Sequence, residues 1–285
     1  MNSASYIQAY EVIFDYAHMV TSCELPTFSN HSSWYHQLGD LFNIVSADAI
    51  KWPDKIIPIL VAAPQTIVDA DQVVHENFLI LLSDLPDLTN DQLLIDDANR
   101  QFTALSATIT SLINQISQLN NQVNEFALSL REDYVCCQNG IRLASNVIAN
   151  NNEQISNLQK DIGELLDQIN QNTGLDSMIK QRIQEDQNDI NQLSSENNVL
   201  SLIQNMFQNI GVQNQNSQPS IQIIRSFWVE TSSLLYAIMD ELQDAQNIMV
   251  SAPFISCIQV KEAYANWCSL VNTSKDLTRA LNDVG

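Results

Sequence analysis

From Ile95 to Leu130 the apolar residues recur at alternating spacings of three and four: Ile95, Ala98, Phe102, Leu105, Ile109, Leu112, Ile116, Leu119, Val123, Phe126 and Leu130. That 3.5-residue rhythm is the seam of a helix packed lengthwise on a neighbour. An extra step of four, from Leu130 to Tyr134, reads as a local stutter. The seam resumes through Cys137, Ile141, Ala144, Ile148, Asn151, Ile155, Leu158, Ile162, Leu165 and Ile169. No proline interrupts the chain between Pro86 and Pro219. One helix is therefore predicted from Asp91 to about Asn170, roughly 120 Å long at ~1.5 Å per residue. Gly140 and Gly163 each weaken it by about 1 kcal/mol, and a bend can be accommodated at Gly140.

Gln171-Asn172-Thr173-Gly174 is a turn signal. A second helix follows, with Ile179, Ile183, Ile190, Leu193, Leu200, Ile203, Phe207 and Ile210 on one face, and is expected to stop at Gly211. The polar stretch from Gln213 to Pro219 is expected to break it. The rhythm restarts at Ile221, Ile224, Trp228, Thr231, Leu235, Ile238, Leu242, Ala245 and Met249. Pro253 suits the first turn of a last helix, which carries Val260, Tyr264, Trp267, Val271 and Leu281 inward. Upstream, Ser3 to Ser22 reads as an amphipathic helix, and Leu25 to about Ser33 as a loop. Leu38 to Leu82 is helical in character, with Pro53, Pro58 and Pro64 as kinks or boundaries.

These lengths predict an all-α protein, with residues 1–285 forming a single elongated helical-bundle domain. Four to five helices make a thick tail from residues 1–90, 219–285 and the ends of the long helices. The bundle narrows to a long antiparallel two-helix hairpin with its tip near 170–182. A compact domain of this size has a radius of gyration of roughly 19 Å, and small-angle scattering is expected to give a clearly larger value.

Composition sharpens this picture. Gly (6) and Pro (7) are scarce, which disfavours turn-rich β and doubly wound α/β folds. Asn (30) and Gln (27) make up a fifth of the chain and carry polarity that charged residues, at 16%, do not. The net charge of −21 argues against nucleic-acid or anionic-lipid binding by electrostatics. The N-terminus lacks the basic region of a secretory signal, and Glu11, Asp15 and His18 interrupt its apolar stretch. The longest wholly apolar run, Ile56 to Ala63, contains Pro58 and is far short of the roughly 20 residues of a membrane span.

Reactive chemistry is sparse. His31 and His36 lie in the predicted loop and His75 is isolated, so no pair has the i, i+4 spacing of a helical zinc site. Cys23, Cys136, Cys137, Cys257 and Cys268 include no CxxC pair. Cys257 and Cys268 stand about 16 Å apart along one helix, too far to bond. The cysteines read as buried, inert thiols, the carboxylates as solvated helix faces, and no cofactor or catalytic centre is expected.

Three stretches resemble the cytolysin A / haemolysin BL superfamily of helical pore-forming toxins, nearest the haemolysin BL and non-haemolytic enterotoxin branch. The first is Ala47 to Pro58, where Trp52 and Pro58 look like the family's marked second helix, continued by Ile67 to Leu82. The second is the Asn-, Gln- and Leu-rich helix from Asp91 to Asn170. The third is the placing of Trp228 and Trp267 on the last two helices. The similarity runs from about residue 43 to 283. Trp52, Trp228 and Trp267 are taken as markers of the core.

The chain departs from membrane-entering members at one place. Their apolar hairpin or β-tongue is replaced by Asn170 to Arg182, whose only apolar residues are Leu175, Met178 and Ile179. The resemblance implies a non-enzymatic subunit of a multi-component toxin that lacks the hydrophobic hairpin. Its partners would be related subunits carrying a hydrophobic head. It would be secreted or exported, and soluble before assembly. It would reach the target membrane through partners, or after a rearrangement freeing a segment such as Ser3 to Ser22 or Ile56 to Leu82. Leu175, Met178 and Ile179 would either dock a partner or membrane, or cap the hairpin. The alternative from another class is a coiled-coil scaffold or adaptor that binds a partner helix.

Overall fold

The computed structural model describes residues 3–28, 32–88, 91–170 and 176–284. The chain is all-α, as the pattern predicted, with no strand among the described residues. Helix α1 spans Ser3–Ser22, α2 Ser33–Ala49, α3 Ile57–Asp84, α4 Gln92–Asn170, α5 Asp176–Ile248 and α6 Pro253–Val284. A π-helical turn, Trp52–Ile56, precedes α3, and a 3-10 turn, Leu85–Asp87, follows it. Pro53 sits in the first turn of the π segment and Pro58 in that of α3, where the backbone is helical on both sides of each junction. Pro64 lies inside α3 without ending it.

The chain divides into two compact units. The first comprises Met1–Asp15, Lys51–Leu128 and Ser217–Gly285. Its core is the α4 seam from Ala98 to Phe126 together with Ile221, Ile224, Trp228, Leu235, Ile238 and Leu242 of α5, all buried. The two helices run antiparallel there, since Gln246 donates to Asn99 at 3.0 Å and Asn120 to the Trp228 carbonyl at 3.3 Å. Helix α6 lies along α3.

The second unit comprises Tyr16–Ile50 and Ser129–Asn216. Trp34, Leu38, Phe42 and Val45 give α2 its buried face. Antiparallel pairing of α4 and α5 is again visible, from Gln204 donating to Ser145 at 2.9 Å and Asn151 to Asn197 at 3.0 Å. Beyond Asn151 the α4 seam residues Ile155, Leu158, Ile162, Leu165 and Ile169 are only half-buried. A pair of helices has too little mass to enclose its own seam.

Several local expectations are corrected. No break separates Gly211 from Pro219: α5 is one helix of 73 residues with Pro219 inside it. The burial rhythm carries through Phe207, Ile210, Asn214, Ser217, Ile221 and Ile224. Asn214 and Ser217 thus occupy seam positions, fully enclosed. A polar side chain in the seam does not break a helix when a hydrogen bond satisfies it.

The stutter at Tyr134 is also absent. Tyr134 is half-buried, and Asp133 takes the inward position, 1% exposed, so Leu130, Asp133, Cys137, Gly140 and Ala144 keep the regular spacing. Gly140 marks a close approach. A Cβ there would lie 2.7 Å from the Phe207 ring. His36 stands in the first turn of α2 rather than in a loop, and His31 falls outside the described residues.

Candidate functional site

Trp52, Trp228 and Trp267 are each fully buried. Their indole N–H groups meet three different fates. That of Trp228 donates to the Tyr6 hydroxyl at 3.0 Å, inside a cluster where Tyr6 and Phe227 pack edge-on. That of Trp267 donates to Asp71 at 3.1 Å. That of Trp52 has no hydrogen-bond partner among the described residues, though its ring packs against Phe126 and Tyr10. Burial pushes the Tyr6 hydroxyl well above its ordinary value, an effect the Trp228 bond offsets in part.

In the second unit the enclosed polar positions form a chain. Asn214 donates to the Tyr16 hydroxyl at 3.1 Å, and that hydroxyl donates to Asp133 at 3.2 Å. Burial, then the Asp133 charge, raise the Tyr16 hydroxyl strongly. Burial and the same carboxylate push the neighbouring Cys137 thiol up to about 12. Such a thiol stays protonated and unreactive at neutral pH. All five cysteines are free. Among the described residues no group of three or more His, Cys, Asp or Glu side chains is placed to hold a metal ion.

Toward the end of the hairpin, polar pairs lie among the apolar seam residues. Asn151, 5% exposed, donates to Glu196 at 3.3 Å and to Asn197, which in turn donates to Asn152 at 2.9 Å. Asp186 is enclosed and paired with Arg182 at 3.1 Å. A groove of about 380 Å³ between the helices is lined by Gln154, Asn157, Leu158 and Asp161 of α4 and by Asp189, Gln192 and Leu193 of α5. At the tip, Ile179 is buried and Met178 is 70% exposed, so the two do not share a face, and Leu175 lies outside the described residues.

Helix α3 is a site that periodicity alone did not single out. Among the described residues one stretch, within Ser33–Asp87, is long and apolar enough to cross a membrane, and only 28% of it is buried. Leu60, Ala63, Ile67, Val74, Phe78 and Leu81 of α3 face the core. Gln65, Asp69, Gln72 and Glu76 are exposed at spacings of four, three and four, and His75 and Ser83 are exposed as well. Gln65 donates to Asp69 at 2.6 Å, and Gln72 to Glu76 at 3.2 Å. Val73, Leu79 and Ile80 stand exposed on the same helix.

Two polar contacts fasten α3 to α6. Asp71 accepts from Trp267 and from Lys275, the latter at 2.9 Å. His75 and the Tyr264 hydroxyl share a hydrogen bond of 2.6 Å. The signal that could have found this site is the run of polar residues from Asp69 to Asn77 that follows the apolar stretch from Ile56 to Ala63.

This succession of helices is the fold of α-pore-forming toxin components, and the resemblance drawn from the sequence holds at the level of fold. No protein-family model matches the chain, and no curated protein matches it in sequence. Among solved structures, the chain is similar to SmhB of the tripartite α-pore-forming toxin Smh from Serratia marcescens. The TM-score is 0.56 at 12% identity, over 94% of this chain and 98% of that one. It is similar to XaxA from Xenorhabdus nematophila, with a TM-score of 0.56 at 10% identity over 99% and 96% of the two chains. It is similar to the soluble form of AhlC, from the tripartite toxin AHL of Aeromonas hydrophila. There the TM-score is 0.54 at 11% identity, over 93% and 95%.

Proposed function

We propose that this chain is a non-enzymatic component of a multi-component α-helical pore-forming toxin, acting by oligomeric assembly at a target membrane. The observation that carries the reading is fold similarity over nearly the full length of both chains to components of tripartite toxins. The chemistry is re-pairing of helices: apolar seams packed within one chain exchange for seams of neighbours. The half-buried seam from Ile155 to Ile169 and the polar layer at Asn151 make the outer part of the hairpin the cheaper one to re-pair.

The partners are related subunits whose heads carry the apolar segment that this tip lacks. The chain is exported and stays soluble until assembly. Met178, exposed at the tip, is a docking residue for such a partner, while Ile179 caps the hairpin.

Leakage assays test the reading. The chain alone should release no dye from phosphatidylcholine vesicles, and a mixture with a related head-bearing subunit should release it. Met178→Ser should lower that partner-dependent release and leave thermal stability unchanged. Leakage by the chain alone at nanomolar concentration would sink the dependent-subunit reading. Inertness in every mixture would favour a scaffold that binds a partner helix.

A further inference from the structure

Turns at the end of a helical bundle face water and are ordinarily polar. One end of the first unit departs from that rule. Two connections meet there, the one between α3 and α4 and the one between α5 and α6. Gln246 of α5 reaches Asn99 of α4 at 3.0 Å, and the Ser256 hydroxyl of α6 donates to the Ala245 carbonyl of α5 at 2.8 Å. The 3-10 turn after α3 lies against α6. Leu93 and Phe254, at this end, are 79% and 74% exposed, the most of any large apolar side chain among the described residues. Val250, Ile255 and Ile258 are exposed as well. Helix α6 buries Ser256, Cys257, Val260 and Ala263, so Phe254, Ile255 and Ile258 make an outward apolar face over its start. No acidic residue occupies its first turn, although the helix dipole favours one there.

Carboxylates crowd the same end. Asp84, Asp87, Asp91, Asp96 and Asp97 follow one another with no lysine or arginine between them. They are close enough to act on each other: after burial, the charges of Asp97 and Asp87 raise the Asp84 carboxyl. Bases are few, since Arg100 pairs with Asp97 and Lys261 stands one turn past Ile258. Single exposed apolar residues elsewhere, such as Leu128 or Leu202, are ordinary surface. A group of them with a charged rim marks a contact surface.

We infer that this end of the first unit is a docking surface for an amphipathic helix of another protein, one that carries lysines or arginines beside an apolar stripe. Charge complementarity selects that occupant. A second copy of the chain would bring the same carboxylates face to face, and anionic lipid meets the same repulsion. A basic helix gives the carboxylates charge partners while the apolar centre leaves water, the usual arrangement of an apolar core inside a polar rim. The inference goes beyond the toxin reading. It asks for no membrane insertion by this chain, and it holds for a toxin subunit and for a scaffold alike.

The test uses the full chain and a fluorescein-labelled synthetic peptide helix with leucines on one face and lysines flanking them. Fluorescence anisotropy should show saturable binding, and hydrogen exchange should show protection confined to the first turn of α4 and residues 250–258. Leu93→Ser/Phe254→Ser should weaken binding by about tenfold or more. Both side chains are exposed, so thermal unfolding of that variant should match the parent. Asp87→Asn/Asp91→Asn should weaken binding and flatten its salt dependence. Asparagine keeps the cap that Asp91 gives the Leu93 N–H. A peptide with glutamates in place of the lysines should not bind. Binding that ignores both variants, protection elsewhere on the chain, or no binding at all would overturn the inference. So would a dimer, or adsorption to phosphatidylcholine vesicles, that is lost in Leu93→Ser/Phe254→Ser, since the occupant would then be a second copy or lipid. None of these results bears on lysis, which the leakage assay reads separately.

Discussion

Phe207 lays its ring against the bare backbone of Gly140, and no side chain can be added there without displacing it. Gly140→Ala is therefore expected to destabilise by about 1–3 kcal/mol, although alanine is the better helix former. Gly163 has nothing within 4 Å of the same hypothetical atom. Gly163→Ala should instead stabilise by up to about 1 kcal/mol, and chemical denaturation of the pair separates packing from propensity. Tyr16→Phe removes a hydroxyl that bonds Asp133 on one side and Asn214 on the other. Its expected cost is about 1–3 kcal/mol. The same enclosure sets an alkaline limit. Tyr6, Tyr16 and Cys137 all hold their protons more tightly when folded than when unfolded. Above the unfolded values, about 9 for the thiol and 10 for the tyrosines, the unfolded chain binds fewer protons, so stability falls as pH rises. It is fully present below pH 9. Cys137→Ala and Tyr16→Phe should each flatten the alkaline limb of a stability-against-pH curve relative to neutral pH.

Trp228 and Trp267 tie helices together by different means, and substitution tells them apart. Alanine at either should cost about 3–5 kcal/mol in equilibrium unfolding, since both are fully enclosed. Lys275→Met removes only the exposed half of the Asp71 contact and should cost under about 1 kcal/mol. The elements themselves were largely legible in the sequence. Ser3–Ser22, the start at Pro253 and the end near Asn170 follow from apolar spacing, proline placement and a turn signal. Two features were not legible, for one physical reason. Asn214 and Ser217 looked like a linker, and Asp133 looked like a missing seam residue, because periodicity counts only apolar positions. A satisfied polar group in a seam is invisible to it, as its partner, Tyr16 for both Asn214 and Asp133, lies more than a hundred residues away. The fastening of α3 to α6 was hidden likewise, since Asp71 and Lys275 are separated by 204 positions.

At the scale of the whole chain, the long-range bonds of α1 bear on the order in which the fold can close. Tyr6 closes on Trp228 across 222 positions, and Tyr16 on Asn214 across 198. These two bonds of α1 can form only after their α5 partners have been made, so that part of its docking cannot precede synthesis of α5. Ribosome-stalled chains ending before residue 200 should lose α1 to a protease that spares it in the finished protein. A late-docking α1 leaves the fold unlocked for most of the time its chain takes to be made.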